Sequence, residues 1–203
     1  MGYPMAGHLS KKQDFDIYVY NRTEAVSDKW LSEYKGLKFN LTDSNNIQFN
    51  GLVTCLKNDE AIVDLLLKKR LISCLNKNSF VLDHSTTSLN LIELITSDKY
   101  VIKNNISFFD APVSGGEAGA INAVLSVMFG GPKNKLSTIK KIMNAYSQSI
   151  VHIGPSGHGQ LTKMVNQICI AGLVQGLSEA INFGINAGLK MEDVIGVISK
   201  GAA

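Results

Sequence analysis

Apolar and polar positions along this chain follow two rhythms. Short runs rich in β-branched and aromatic residues, at Asp16 to Tyr20, Gly51 to Leu56, Ser79 to Asp83, Ser107 to Asp110, Leu125 to Phe129 and Ile150 to Ile153, have the length and composition of strands. Between several of them, apolar residues recur every three or four positions. This predicts helices at Met5 to Lys12, Thr23 to Tyr34, Asp59 to Leu66, Leu89 to Thr96 and Asn134 to Tyr146. Such alternation builds βαβ units around a mainly parallel sheet. The tail differs: a helical pattern runs from about Gly159 to Gly188 without a strand signal, and Met191 to Lys200 suggests a further helix. The expected fold class is α/β, with a doubly wound, mainly parallel domain over residues 1–155 and the start of an all-helical second domain over 156–203. The change is expected near Pro155.

Composition narrows the function. With 203 residues, 45% of them hydrophobic, the chain can bury one sizeable core and begin a second. The formal charge of +3 is spread along the sequence. The densest basic clusters, Lys68 to Arg70 and Lys140 to Lys141, are flanked by apolar helical residues rather than aromatics, so no nucleic-acid surface is expected. Cys55, Cys74 and Cys169 have no CxxC or Cys/His ligand spacing and read as reduced core residues. Uninterrupted apolar runs are short, since Ile168 to Val174 is broken by Gly172, so no membrane span is expected. Met1 to Leu9 lacks the charged start and apolar core of a secretion signal, and the expected compartment is cytoplasmic. His8, His84, His152 and His158 share no ligand spacing; surface or local hydrogen-bonding roles are expected and no metal is.

The opening Met1-Gly2-Tyr3-Pro4-Met5-Ala6 reads either as an ordinary helix start after a glycine or as the end of a GxGxxG dinucleotide turn. In the second reading Gly2 is the third glycine, the one that lets helix and strand pack closely. Spacing supports it. About 20 residues on, where such Rossmann-type folds contact the adenosine ribose, stands Asn21-Arg22-Thr23. An acidic residue there would favour NAD, whereas an Arg between short polar residues offers a cation and donors to a 2′-phosphate and favours NADP. The other reading of Arg22 is a solvated turn residue. No residues precede Met1 to supply the central strand and first glycines, so the sheet is expected to lack its first strand, as in a truncated gene model, a fragment or an internal start.

Three further segments carry chemistry. Ser114-Gly115-Gly116 presents a hydroxyl and unobstructed backbone N–H groups, which suits a small carboxylate, although an SGG turn can also be purely structural. Lys163, Asn166 and Gln167 fall at i, i+3 and i+4 of the long helix, placing an amine and two amides on one face. Ser85 and Thr86 end a strand where a parallel sheet presents its ligand crevice, while Ser88 before Leu89, Leu91 and Ile92 reads as a helix cap.

Asp83-His84-Ser85-Thr86-Thr87-Ser88, then Phe109-Asp110-Ala111-Pro112-Val113-Ser114-Gly115-Gly116 through Gly119-Ala120, then Gly157-His158-Gly159 with Lys163, Asn166 and Gln167, together resemble the signatures of the β-hydroxyacid dehydrogenases of 3-hydroxyisobutyrate dehydrogenase type. The resemblance implies hydride transfer between NADP(H), with NAD less favoured, and a small 3-hydroxyacid or its semialdehyde. It implies Lys163 as proton donor and acceptor, and Ser114, Gly115, Gly116, Asn166 and Gln167 as substrate contacts. Met1, Gly2, Asn21, Arg22, Thr23, Leu56, Ser85 and Thr86 are implied as cofactor contacts, and a full-length relative is implied to be a homo-oligomer. Many relatives carry two consecutive asparagines where this chain has Asn166-Gln167, and often Pro at the position of Leu89. Rival readings are a glyoxylate or succinic semialdehyde reductase, a non-catalytic NADP-binding module, and an inert fragment.

Overall fold

The structure, a computed structural model, describes residues 1–43 and 47–201; residues 44–46 and the expected tail at 202–203 lie outside the described residues. The chain forms two compact units, Met1–Lys163 and Met164–Ala203. The first opens with α1 (Gly2–Ser10), β1 (Tyr18–Val19), α2 (Glu24–Glu33), β2 (Leu37–Lys38), β3 (Phe49–Thr54) and α3 (Asp59–Val63). It continues through β4 (Leu75–Asp83), α4 (Leu89–Thr96), α5 (Lys99–Lys103), β5 (Ser107–Asp110), β6 (Val113–Ser114) and α6 (Gly116–Ile121). Strand β7 (Leu125–Gly130), α7 (Leu136–Met143) and β8 (Ser147–Gly154) complete the α/β part. Helix α8 (His158–Asn186) begins here and runs on into the second unit, where α9 (Met191–Ile198) follows.

Strands β3, β4 and β5 lie side by side in parallel; β7 pairs antiparallel with β5 and β6, and parallel with β8. β1 and β2 form a separate parallel pair. Among the described residues no backbone ladder joins that pair to β3; they meet through the rings of Tyr18 and Phe49, 5.3 Å apart. Alternation along the central strands decides the two cores. Phe80, Leu82 and Phe109 turn to one face, with Met5, Leu9, Leu125, Ile139, Met143 and Tyr146. Val81 and Phe108 turn to the other, with Ile62, Leu66, Ile72, Ile92 and Ile95. Each such fully buried side chain contributes about 1.5–3 kcal/mol, so helices on both faces hold the sheet rigid under the site.

Most predicted elements are present within a few residues. Leu89–Thr96 and Ser107–Asp110 coincide with their expected bounds, and Ser88 caps the former by accepting from the Leu91 N–H at 3.2 Å. The expected helix at Asp59 to Leu66 is α3 followed by a π-helical turn over Asp64–Lys68. Strands β2 and β6, each two residues long, and helices α5 and α6 were not foreseen, being too short to show a period. Only α5 advertises itself locally: Asp98 accepts from the N–H groups of Tyr100 and Val101.

One expectation is corrected. Cys169 is exposed on α8 rather than part of a core. That helix, 29 residues long, is also long and apolar enough by length and composition to cross a membrane, because its glycines and amides interrupt apolar runs without lowering the average much. In the second unit it ends where Gly188 takes a left-handed φ of 73°, and the thioether of Met191 occupies the space beside Gly184.

Candidate active site

Open α/β sheets hold ligands beyond the carboxyl ends of their parallel strands. Here that edge is an aligned row: Thr54 is in register with Asp83, and Asp83 with Asp110. Both carboxyl groups are fully buried. Asp83 Oδ1 accepts from the Thr54 hydroxyl at 2.8 Å and from the Ser85 N–H at 3.0 Å, and burial still pushes its carboxyl up to about 6. Its other oxygen has no protein partner among the described residues. Next to it, His84 is wholly buried, Nδ1 lying 2.6 Å from the carbonyl of Ala111 and Nε2 2.8 Å from the Tyr146 hydroxyl. A carbonyl can only accept, so Nδ1 carries the hydrogen and Nε2 accepts from Tyr146. Desolvation lowers the imidazole to about 4, leaving it a neutral tie between β4, β5 and the end of α7.

Asp110 does different work. Its two oxygens accept from the N–H of Gly157 at 2.7 Å and of Gln160 at 2.9 Å, so it caps the start of α8 from a distant strand. Burial raises its pKa, and these N–H groups partly offset the rise. The nearby Ser156 hydroxyl, a local capping candidate, donates instead to the Phe108 carbonyl at 3.2 Å. Gly159 makes the approach feasible: a Cβ there would stand 2.4 Å from the Asp110 carbonyl and 2.9 Å from that of Met128.

Six residues after the Gly157 cap bond, Lys163 is half-buried and its Nζ donates to the Val113 carbonyl at 3.0 Å. Desolvation lowers the lysine's pKa. Val113 directly precedes Ser114, which is half-buried, and the exposed Gly115 and Gly116, whose φ of 129° and 62° lie on the left-handed side that glycine adopts most readily. The predicted lysine and the predicted anion loop therefore lie together. Asn166 and Gln167 belong to the second unit, where the Asn166 amide donates to the Gln167 side chain at 3.2 Å.

At the opposite end of the edge, Gly2 opens α1 against β3, where a Cβ would come within 3.2 Å of that of Cys55; Met1 precedes it and is exposed. Asn21, Arg22 and Thr23 are all exposed beyond β1, the Asn21 amide donating to the Thr23 carbonyl at 2.9 Å. These positions could hold a dinucleotide: a helix start that lets backbone come close, and an exposed guanidinium just beyond β1. Thr86 is exposed, but Ser85 is 2% exposed and its hydroxyl accepts from the Leu56 N–H at 2.8 Å. Of the two hydroxyls proposed at this strand end, Thr86 faces outward, while Ser85 and Leu56 tie β3 to β4.

Sequence reasoning assigned no role to Asp110 or Gln160, since their partners lie 47 to 75 residues away. The available signal was a helix start at Gly157-His158-Gly159 with no acidic residue of its own.

Residues 1–154 match the family described as the NAD-binding domain of 6-phosphogluconate dehydrogenase. Residues 157–203 match that described as the NAD-binding region of NADP-dependent 3-hydroxyisobutyrate dehydrogenase. An uncharacterized oxidoreductase of Shewanella frigidimarina is 46% identical across the whole chain, which spans 69% of that protein. The mitochondrial 3-hydroxyisobutyrate dehydrogenase of Drosophila melanogaster is 30% identical over 93% of this chain and 57% of its own length. A solved 3-hydroxyisobutyrate dehydrogenase of Mycobacterium tuberculosis, determined with L-serine, superposes with a TM-score of 0.86 at 22% identity, over the whole chain and 67% of that structure; at this identity the likeness is one of fold.

Proposed function

Because this chain belongs to the β-hydroxyacid dehydrogenase family of 3-hydroxyisobutyrate dehydrogenase type, whose members are NAD(P)-dependent oxidoreductases, we propose that it interconverts a small 3-hydroxyacid and its semialdehyde with NADP(H), Lys163 handling the proton. The observation that carries this reading is the bond from Lys163 Nζ to the Val113 carbonyl, which holds a partly desolvated amine beside the Ser114 to Gly116 loop.

Gly2, Asn21, Arg22, Thr23 and Thr86 would hold the cofactor, with Met1 at its edge and Ser85 and Leu56 shaping the strand ends beneath it. When bound, the nicotinamide supplies or accepts the hydride. An ammonium has three hydrogens; Val113 takes one, leaving two to meet a substrate oxygen. Desolvation makes the proton easier to release, so Lys163 passes it to the carbonyl oxygen during reduction and recovers it from the alcohol during oxidation. The Ser114 hydroxyl and the backbone N–H groups of Gly115 and Gly116 cradle the carboxylate. Asn166 and Gln167 hold their substrate role by resemblance alone. Arg22 and the family match of residues 157–203 support NADP over NAD. Exposed Ile168, Leu173 and Phe183 on α8 support self-association through the second unit.

The test is cofactor oxidation with a panel of small semialdehydes, glyoxylate included, for the native chain and for Lys163→Met. The native protein should consume NADPH faster than NADH. Lys163→Met should lose about 10²–10⁴-fold in kcat and keep its NADPH affinity. NADPH binding without turnover by the native chain would instead favour the cofactor-binding module, and full activity in Lys163→Met would remove the lysine from the reaction.

A further inference from the structure

Gln160 is 1% exposed, and its backbone N–H and both ends of its side-chain amide have partners. Its backbone N–H donates to Asp110 Oδ2 at 2.9 Å, inside the cap of α8. Its side-chain amide reaches the other way: Nε2 donates to the Ser85 carbonyl at 2.8 Å, and Oε1 accepts from the Thr87 N–H at 3.2 Å. Those are the two backbone groups flanking Thr86. One side-chain amide thus does for that residue what a neighbouring strand would do, fixing both sides of it while Thr86 itself projects to solvent. Lys163 follows Gln160 by three residues on the same helix.

We propose that Gln160 is a positioning residue that sets the distance between the cofactor-facing strand end at Thr86 and the proton-carrying Lys163. The proposal rests on the function proposed above. Its physical basis is that hydride and proton must arrive at one carbonyl group, and a misplacement of about 1 Å can cost on the order of 100-fold in rate. Only a side chain with one donor and one acceptor at this length makes both bonds. Asn is a methylene short, an ionised Glu would set oxygen against the Ser85 carbonyl, and Met fills the space with neither group.

The experiment compares the native chain with Gln160→Met, at a temperature where both are folded, by semialdehyde reduction with NADPH and by hydrogen exchange. We expect kcat to fall about 10–100-fold with little change in semialdehyde KM. Exchange protection should fall together in residues 84–88 and 157–163, because the brace joins them. A Gln160→Met chain with a lowered melting temperature but native kcat per folded molecule would overturn the proposal and leave Gln160 a structural residue. Should the native chain bind NADPH yet turn over no semialdehyde, the proposed reaction fails on that arm. The exchange arm still decides the brace: loss confined to one segment overturns it, and joint loss sustains it.

Discussion

Acidification should remove the contribution that His84 makes to this fold, and the size of the effect follows from its surroundings. The ring donates to the Ala111 carbonyl and accepts from the Tyr146 hydroxyl, and it is wholly enclosed. A second proton would have to sit on Nε2, facing a hydroxyl that is donating to it, in a site closed to bulk solvent. The folded pKa is therefore about 4, against 6.5 for a free imidazole. Because it is depressed, the contribution is fully present above 6.5 and is lost as pH falls through 4, since the unfolded chain takes up the proton first. At about 1.4 kcal/mol per unit the loss amounts to roughly 3 kcal/mol. Asp83 works in the opposite sense: its carboxyl is raised from 3.8 to about 6, so its contribution is present below 3.8 and lost as pH rises through 6. Between pH 4 and 6 the two slopes nearly cancel in the native protein, so its own curve hides both. The informative quantity is the difference between native and His84→Gln, from urea unfolding followed by circular dichroism at intervals from pH 8 to 4. The native protein's advantage should hold above pH 6.5 and shrink by roughly 3 kcal/mol toward pH 4. An advantage that stays constant, or grows on acidification, would refute the assignment of a buried neutral His84.

Arg22→Ser should weaken NADPH binding about 10–100-fold, the worth of a lost charge-assisted contact, and leave NADH binding unchanged in fluorescence titrations; equal losses for both cofactors would return Arg22 to an ordinary turn. Gly159→Ala places a Cβ against two backbone carbonyls, Asp110 and Met128, that cannot swing aside. It should cost about 1–3 kcal/mol and lower the thermal midpoint by about 3–10 °C, whereas an unchanged midpoint would contradict the close helix-to-strand approach.

The sequence by itself determined the elements whose signals are local. Leu89–Thr96 has its own cap in Ser88 and an apolar period; Ser107–Asp110 is a compact run built on two phenylalanines; and the order of such elements implies a doubly wound sheet. The chemistry-bearing residues were legible for the same reason, since Ser114 to Gly116 and Lys163 each declare a chemical capacity within a few positions. Tertiary structure alone decided how these parts are held. Asp110 carries nothing in its neighbourhood to mark it as the cap of α8, because the N–H groups it satisfies lie 47 and 50 residues on. Likewise Gln160 sits within a helical pattern that any amide would satisfy, and only the chain's return past Ser85 and Thr87 gives its side chain partners. The same return used the Ser85 hydroxyl internally and left Thr86 outward, a division that two adjacent hydroxyl residues cannot reveal in one dimension. Periodicity records which face a residue turns to the core; which distant backbone group waits there is set by how the strands come into register.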